Sequence, residues 1–347
     1  MPLLRAAANS PNILGQWERS IDGVTFVNQA LAGLSHVWLS ERNGLTVLAL
    51  TAALTIQRSI DGGDVWAVLA ALPAAGHNNS CFEHSLGAIL VGQPANAPGE
   101  IRVFRSVDVG VSWSDVLVAT RIAANSRVYP GTFQECDDGS ILMHDDPNAG
   151  LGDLSRVYRS VDQGATWAVS LSPAAGFGAT LGNLGYLPGR QVAYFLTDDG
   201  IASLKLYRST DEGLTWTDQA PAGLAAQNLL QAGFKTRNAV AFLRSTGEHL
   251  VTTAASFWRS SNLGITWTED APSSPGPSTR GGLIATQESS ILVARDIAGM
   301  TMRRSIDNGV SWVTLSTLQG SATAAASIYA TAALGASRRH LPLLGVR

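Results

Sequence analysis

The side chains able to do chemistry in this 347-residue chain are mainly aspartates beside expected strand ends. Asp145 and Asp146 form one pair, Asp198 and Asp199 another, and Asp296 stands alone. Two carboxyl groups flanking a glycosidic bond can split its hydrolysis between a general acid and a base or nucleophile. Asp145 or Asp146 with Asp198, Asp199 or Asp296 would make such a pair. Adjacent aspartates also open turns by bonding their own backbone, which is the competing use of the same residues. Arg127, Tyr129, Lys235, Arg237 and Arg280 could hold a polar ligand such as a sugar, as could His77, Asn78, Asn79 and Arg121. The same set equally describes a solvated loop surface.

Other chemistries find little footing. The six histidines are scattered and no His-x-Glu or Cys-x-x-Cys occurs, so no metal centre is expected. Neither a serine-nucleophile elbow nor a phosphate loop is present, and no cofactor is expected. Cys81 and Cys136 make no disulfide framework and should be free, buried thiols. A net charge of −3 gives no footprint for nucleic acid. No basic run suits an anionic membrane surface, and no apolar stretch approaches a spanning length, so membrane insertion is not expected. Met1–Ala6 has no apolar signal-peptide core, so no export signal is expected. Lys205 and Lys235 are the only lysines among 24 basic residues. With abundant Ala and Gly, this suggests a GC-rich bacterial genome or a virus of such a host.

What must position these residues is a repeat. Ser106-Val-Asp108-Val-Gly110-Val-Ser112-Trp113 recurs as Ser160-Val-Asp162-Gln-Gly164-Ala-Thr166-Trp167 and as Ser209-Thr-Asp211-Glu-Gly213-Leu-Thr215-Trp216. Ser305-Ile-Asp307-Asn-Gly309-Val-Ser311-Trp312 is a further clear copy. Three copies are degenerate. Ser59-Ile-Asp61-Gly-Gly63-Asp-Val65-Trp66 lacks the hydroxyl, and Ser260-Ser-Asn262-Leu-Gly264-Ile-Thr266-Trp267 has Asn for Asp. Ser20-Ile-Asp22-Gly23-Val-Thr25-Phe26 is one residue short. Arg19, Arg58, Arg105, Arg159, Arg208, Arg259 and Arg304 precede the seven serines, which are spaced by 39 to 54 residues. That period fits a four-stranded propeller blade.

These residues resemble the Asp-box, or BNR, repeat of sialidases, polysaccharide hydrolases, sortilin-type receptors and photosystem assembly factors. The resemblance covers nearly the whole chain and implies that each box turns the third strand of a blade into the fourth. The chemistry agrees: Asp accepts backbone N–H bonds two residues on, in an Asx-turn, and Gly takes a positive φ. Each Trp then packs between blades, hiding about 150–250 Å². Replacing Trp113, Trp167, Trp216 or Trp312 by Ala should cost about 3–5 kcal/mol.

Between boxes, Gly131–Cys136, the turn at Asp137-Asp138-Gly139, Ser140–His144 and Ser155–Arg159 read as strand, turn, strand, strand. Ala239–Leu243, His249–Thr252 and Ser256–Arg259 repeat the plan. Before Ser20 one strand is expected, Ile13–Arg19. After Trp312 two are expected, Ser327–Thr331 and His340–Leu344, so the two ends should share a blade and leave no open edge. The expected fold is therefore an all-β, single seven-bladed propeller over residues 1–347. Its blades are 323–347 plus 12–31, 34–72, 77–119, 127–172, 178–220, 228–272 and 280–317.

Four-stranded topology puts the boxes and inner hairpin turns on one face, and the ends of the second strands with the crossovers on the other. The candidate acids and cations above gather on that second face. A sialidase would also need its Arg-Ile-Pro motif, whose nearest match here is Arg121-Ile122-Ala123, in a six-bladed ring. The expected function is a non-enzymatic recognition or structural propeller. What the resemblance suggests is a bacteriophage tail or surface protein contacting a host glycan or a neighbouring virion protein. Its place is then virion-associated or cytoplasmic. The alternatives are a glycoside hydrolase and a protein-assembly scaffold.

Overall fold

The structure is a computed structural model. It describes residues 3–7, 16–20, 27–29, 38–42, 46–50, 55–61, 65–73, 81–93, 100–120, 128–147, 155–173, 181–187, 189–198, 204–219, 240–243, 248–252, 257–270, 283–285, 292–296, 301–305, 311, 313–317 and 326–330. Every regular element among them is a β-strand, and the strands form seven four-stranded antiparallel sheets.

The first sheet joins both ends of the chain. β1 (Leu3–Ala7), β2 (Gln16–Ser20) and β3 (Val27–Gln29) pair in order, and β28 (Ala326–Ala330) pairs with the free side of β1. The second sheet holds β4 (Trp38–Arg42), β5 (Thr46–Leu50), β6 (Ile56–Ser59) and β7 (Ala67–Val68). In the third come β8 (Cys81–Glu83), β9 (Ile89–Gly92), β10 (Glu100–Ser106) and β11 (Ser114–Thr120). The fourth has β12 (Val128–Glu135), β13 (Ile141–Pro147), β14 (Val157–Ser160) and β15 (Ala168–Leu171). β16 (Leu181–Leu187), β17 (Val192–Asp198), β18 (Leu204–Ser209) and β19 (Thr217–Asp218) make the fifth. The sixth comprises β20 (Val240–Leu243), β21 (Glu248–Thr252), β22 (Phe257–Ser260) and β23 (Thr268–Asp270). β24 (Leu283–Ala285), β25 (Leu292–Asp296), β26 (Thr301–Ser305) and β27 (Val313–Thr317) complete the seventh.

First strands pack sheet to sheet: β4 on β8, β8 on β12, β12 on β16, β16 on β20, β20 on β24 and β24 on β28. The described side chains of the second strands β9, β13 and β17 are buried on both faces, as the run Ile89-Leu90-Val91 illustrates. Such strands read as continuous apolar segments, because each face meets another sheet. The core accordingly lies between sheets. Leu48 and Ile56 meet Ile89, Val91 and Phe104. Leu90 and Val103 meet Phe133, Ile141 and Tyr158. Leu142 and Val157 meet Leu184 and Phe195, and Tyr194 and Leu206 meet Trp258 and Trp267.

The ends differ from expectation. The amino-terminal segment supplies three strands, not two, because Leu3–Ala7 pairs with Gln16–Ser20 through the register Arg5↔Glu18. The carboxy-terminal segment supplies β28, with Arg5↔Ile328. Leu3-Leu-Arg-Ala-Ala7 is rich in small residues of low β-propensity, so its strand is set by pairing on both sides and not by its own composition. The expected strand His340–Leu344 lies outside the described residues.

Candidate functional site

Among the described residues, the corners between third and fourth strands are closed by their own side chains. In the third sheet the Ser106 hydroxyl donates to Asp108 Oδ1 at 2.7 Å and accepts from the Gly110 N–H at 2.8 Å. Asp108 Oδ1 also accepts from the Ser112 N–H at 2.9 Å, and Oδ2 from the Ser112 hydroxyl. The same pattern holds Asp162 with Thr166 and Asp211 with Thr215. The aspartate thus reaches four residues ahead, not two, because the serine hydroxyl takes the nearer N–H groups. These bonds favour the anion. The Ser112 and Ser106 bonds draw the Asp108 carboxyl down to about 2. Burial opposes ionisation at Asp162 and Asp211, yet their hydrogen bonds hold both below the ordinary value.

Degenerate corners keep the geometry. Asn262 Oδ1 accepts from the Thr266 N–H at 2.9 Å while its Nδ2 donates to Thr266 Oγ1 at 2.7 Å, so the hydroxyl bond simply reverses direction. With no hydroxyl at Val65, its N–H bonds both Asp61 oxygens, at 3.0 and 3.1 Å. Asp22 and Asp307 lie outside the described residues, as does Trp312.

Corners also seal one sheet to the next. The glycine and the residue before it both take positive φ: Val109 and Gly110, Gln163 and Gly164, Glu212 and Gly213, Leu263 and Gly264. A Cβ on Gly213 would lie 2.5 Å from Leu142 of the preceding sheet, and one on Gly164 2.7 Å from Leu90. The arginine before the serine reaches forward. Arg105 Nε donates to the Gln163 carbonyl at 2.9 Å, and Arg159 Nε to the Glu212 carbonyl at 3.1 Å. Arg58 instead forms two 2.9 Å bonds to buried Glu83, which raise its pKa. Trp267 is buried, whereas Trp66, Trp113, Trp167 and Trp216 are half-buried. The expected cost of removing a half-buried indole is correspondingly smaller.

At the other end of the second strands stand the predicted acids. Asp145 and Asp146 lie near the end of β13, Asp198 ends β17 and Asp296 ends β25. Tyr129 of β12 is the register partner of Asp146. Asp145 is fully buried: Oδ1 accepts from the Arg156 N–H at 2.6 Å and Oδ2 from the Tyr158 hydroxyl at 2.9 Å. Beside these groups, the Ser155 hydroxyl and Arg156 Nε are buried without a hydrogen-bond partner. Asp199, Arg127, Lys235, Arg237 and Arg280 lie outside the described residues, as do His77, Asn78, Asn79 and Arg121.

Sequence reasoning missed a polar cluster on the corner face, between the fourth and fifth sheets. Cys136, Asp138 and Glu212 offer atoms within 4.8 Å of one another. The Asp138 N–H donates to Glu212 Oε2 at 2.9 Å, Arg159 Nη2 to Asp138 Oδ2, and the Asp137 N–H to the Tyr186 hydroxyl at 2.9 Å. Burial pushes the Cys136 thiol up to about 12, which removes it as a nucleophile. Burial and then Asp138 raise Glu212 to about 7, while Asp138 is held low by its bonds to Glu212, Ser140 and Arg159 against its own desolvation. Asp137-Asp138-Gly139 was legible as a turn and Glu212 as a corner residue. Their meeting depends on how adjacent sheets align.

No family model and no curated protein matches the chain. Among solved structures it is similar to a protein from Lactobacillus plantarum, at 13% identity over 95% of this chain and 99% of that one, with a TM-score of 0.61. A streptogramin B lyase aligns at 14% identity over 82% and 84% of the two chains, TM-score 0.56. YCF48 bound to a D1 peptide aligns at 16% identity over 80% and 81%, TM-score 0.52. At such identities the likeness shows the fold alone, a β-propeller built from four-stranded antiparallel sheets.

Proposed function

We propose that the seven sheets are seven blades of one closed ring, that its corners are Asp-boxes, and that the ring recognises a polar ligand without cleaving it. Support for the ring comes from β28 and β1 sharing a sheet and from the chain of first-strand contacts. The observation that favours recognition over hydrolysis is the burial of Asp145, which takes that residue out of the candidate acid pairs. A carboxylate with no exposed surface and both oxygens bonded cannot protonate a leaving oxygen or activate water, which two-carboxylate hydrolysis requires. Asp146, Asp198, Asp199 and Asp296, with Arg127, Tyr129, Lys235, Arg237 and Arg280, then serve as hydrogen-bonding groups for a glycan. The setting that fits is a virion surface, as a tail or surface protein of a phage whose host has a GC-rich genome.

Glycan-array binding with the full chain tests this. Binding to a polysaccharide, weakened by Asp198→Asn and unaccompanied by reducing-sugar release, is the expected result. Release of reducing sugar that Asp198→Asn or Asp296→Asn abolishes would replace recognition with hydrolysis. Silence on the array with co-purification of a protein assembly would point to a scaffold instead.

A further inference from the structure

The seam between the fourth and fifth sheets carries charge at a place where the third, fourth and sixth corners are neutral. At the left-handed position before the corner glycine stand Val109, Gln163 and Leu263 in the third, fourth and sixth corners, but Glu212 in the fifth. Glu212 is only 6% exposed, and it faces the hairpin turn of the fourth sheet. From that turn come Cys136, Asp137, Asp138 and Ser140. β14 brings Arg159, and β16 brings Tyr186.

Arg159 is the one cation among these groups, and its Nη2 is committed to Asp138 Oδ2. Asp137 is exposed and accepts from the Gly189 N–H at 2.6 Å. Tyr186 and Cys136 are kept neutral by burial. Glu212, buried, and Asp138, exposed, therefore lie close together with a single guanidinium, which bonds the Asp138 carboxylate and the Glu212 backbone carbonyl, and like charges so placed do not both ionise readily. We infer that a proton shared between Asp138 and Glu212 latches the fourth sheet to the fifth, and that its loss loosens this seam.

The direction follows from both groups. Glu212 is raised from 4.5 to about 7 by burial and then by Asp138, so its contribution is complete below pH about 4.5 and disappears as pH rises through about 7. Asp138 is shifted the opposite way, so its contribution is lost as pH falls below the ordinary carboxylate range. The seam is tightest with one proton on the pair. A divalent ion is the competing occupant of Cys136, Asp138 and Glu212, and Arg159 already fills the cationic role beside them.

Amide hydrogen exchange over residues 136–142 and 209–216, corrected for intrinsic pH dependence and measured in EDTA, reads the seam directly. Between pH 5.5 and 8.5 the protection of both segments should fall by about 10- to 100-fold, with corners elsewhere unchanged. Glu212→Gln, which can keep the hydrogen bonds without the charge, should abolish that pH dependence, and Asp138→Asn, which leaves Glu212 buried, should reduce it. Parallel loss of protection in the native chain and in both variants would overturn the latch. So would loosening by EDTA at pH 5.5, or tightening by zinc at pH 8.5, since an ion and not a proton would then hold the seam.

Discussion

Asp211 and Asn262 perform one task with different chemistry, and the comparison shows what the corner needs. Both present an oxygen to the serine hydroxyl and to the N–H four residues ahead. Only the bond to the threonine hydroxyl changes direction between them. Asp211→Asn should therefore cost less than about 1 kcal/mol, while Asp211→Ala, which strands the Thr215 N–H and the Ser209 hydroxyl, should cost about 1–3 kcal/mol. Urea titrations at pH 7 measure both. The aspartate version also carries a pH signature. Its lowered carboxyl stabilises the fold above the ordinary carboxylate pKa and loses that contribution as pH falls through the depressed value. Asp211→Asn should accordingly flatten part of the acid limb below pH 4.

At the scale of elements, the indoles do unequal work. Trp267 is buried with Trp258 against Tyr194 and Leu206, so Trp267→Ala should cost about 3–5 kcal/mol. Trp113 is half-buried at the margin of its cluster, with Nε1 bonded to the Ala70 carbonyl at 3.1 Å, and its loss should cost nearer 2 kcal/mol. Thermal or denaturant unfolding of the two variants decides the order, and equal costs would contradict it. The repeat made Ser, Asp, Gly and Trp legible, since each is fixed by chemistry within eight residues. Two features of the same corner were not. The positive φ of Val109, Gln163, Glu212 and Leu263 imposes no residue type, and the contact of Gly213 with Leu142 involves the neighbouring sheet. A pattern along one strand pair carries no information about the next.

For the whole molecule, the four-stranded unit could be read from the spacing of the corners, and the meeting of the two ends from leftover strands. How the ends divide the shared sheet could not, because Leu3–Ala7 becomes a strand only by lying between β2 and β28. The same reason hid the Asp138–Glu212 seam and the bonds that commit Asp145 to the Arg156 N–H and the Tyr158 hydroxyl. Closure by β1 and β28 is tested most directly by paired cysteines at register partners, Ala6→Cys with Ser327→Cys and, on the opposite face, Arg5→Cys with Ile328→Cys. The native Cys81 and Cys136 are buried thiols outside any disulfide, so they should not compete. At least one pair should oxidise within a single chain, giving a faster-migrating species on non-reducing gels and stabilisation of up to about 5 kcal/mol, as expected for a crosslink enclosing nearly the entire chain. Failure of both pairs to form an intramolecular disulfide, or crosslinking only between separate chains, would contradict a ring closed through its two ends.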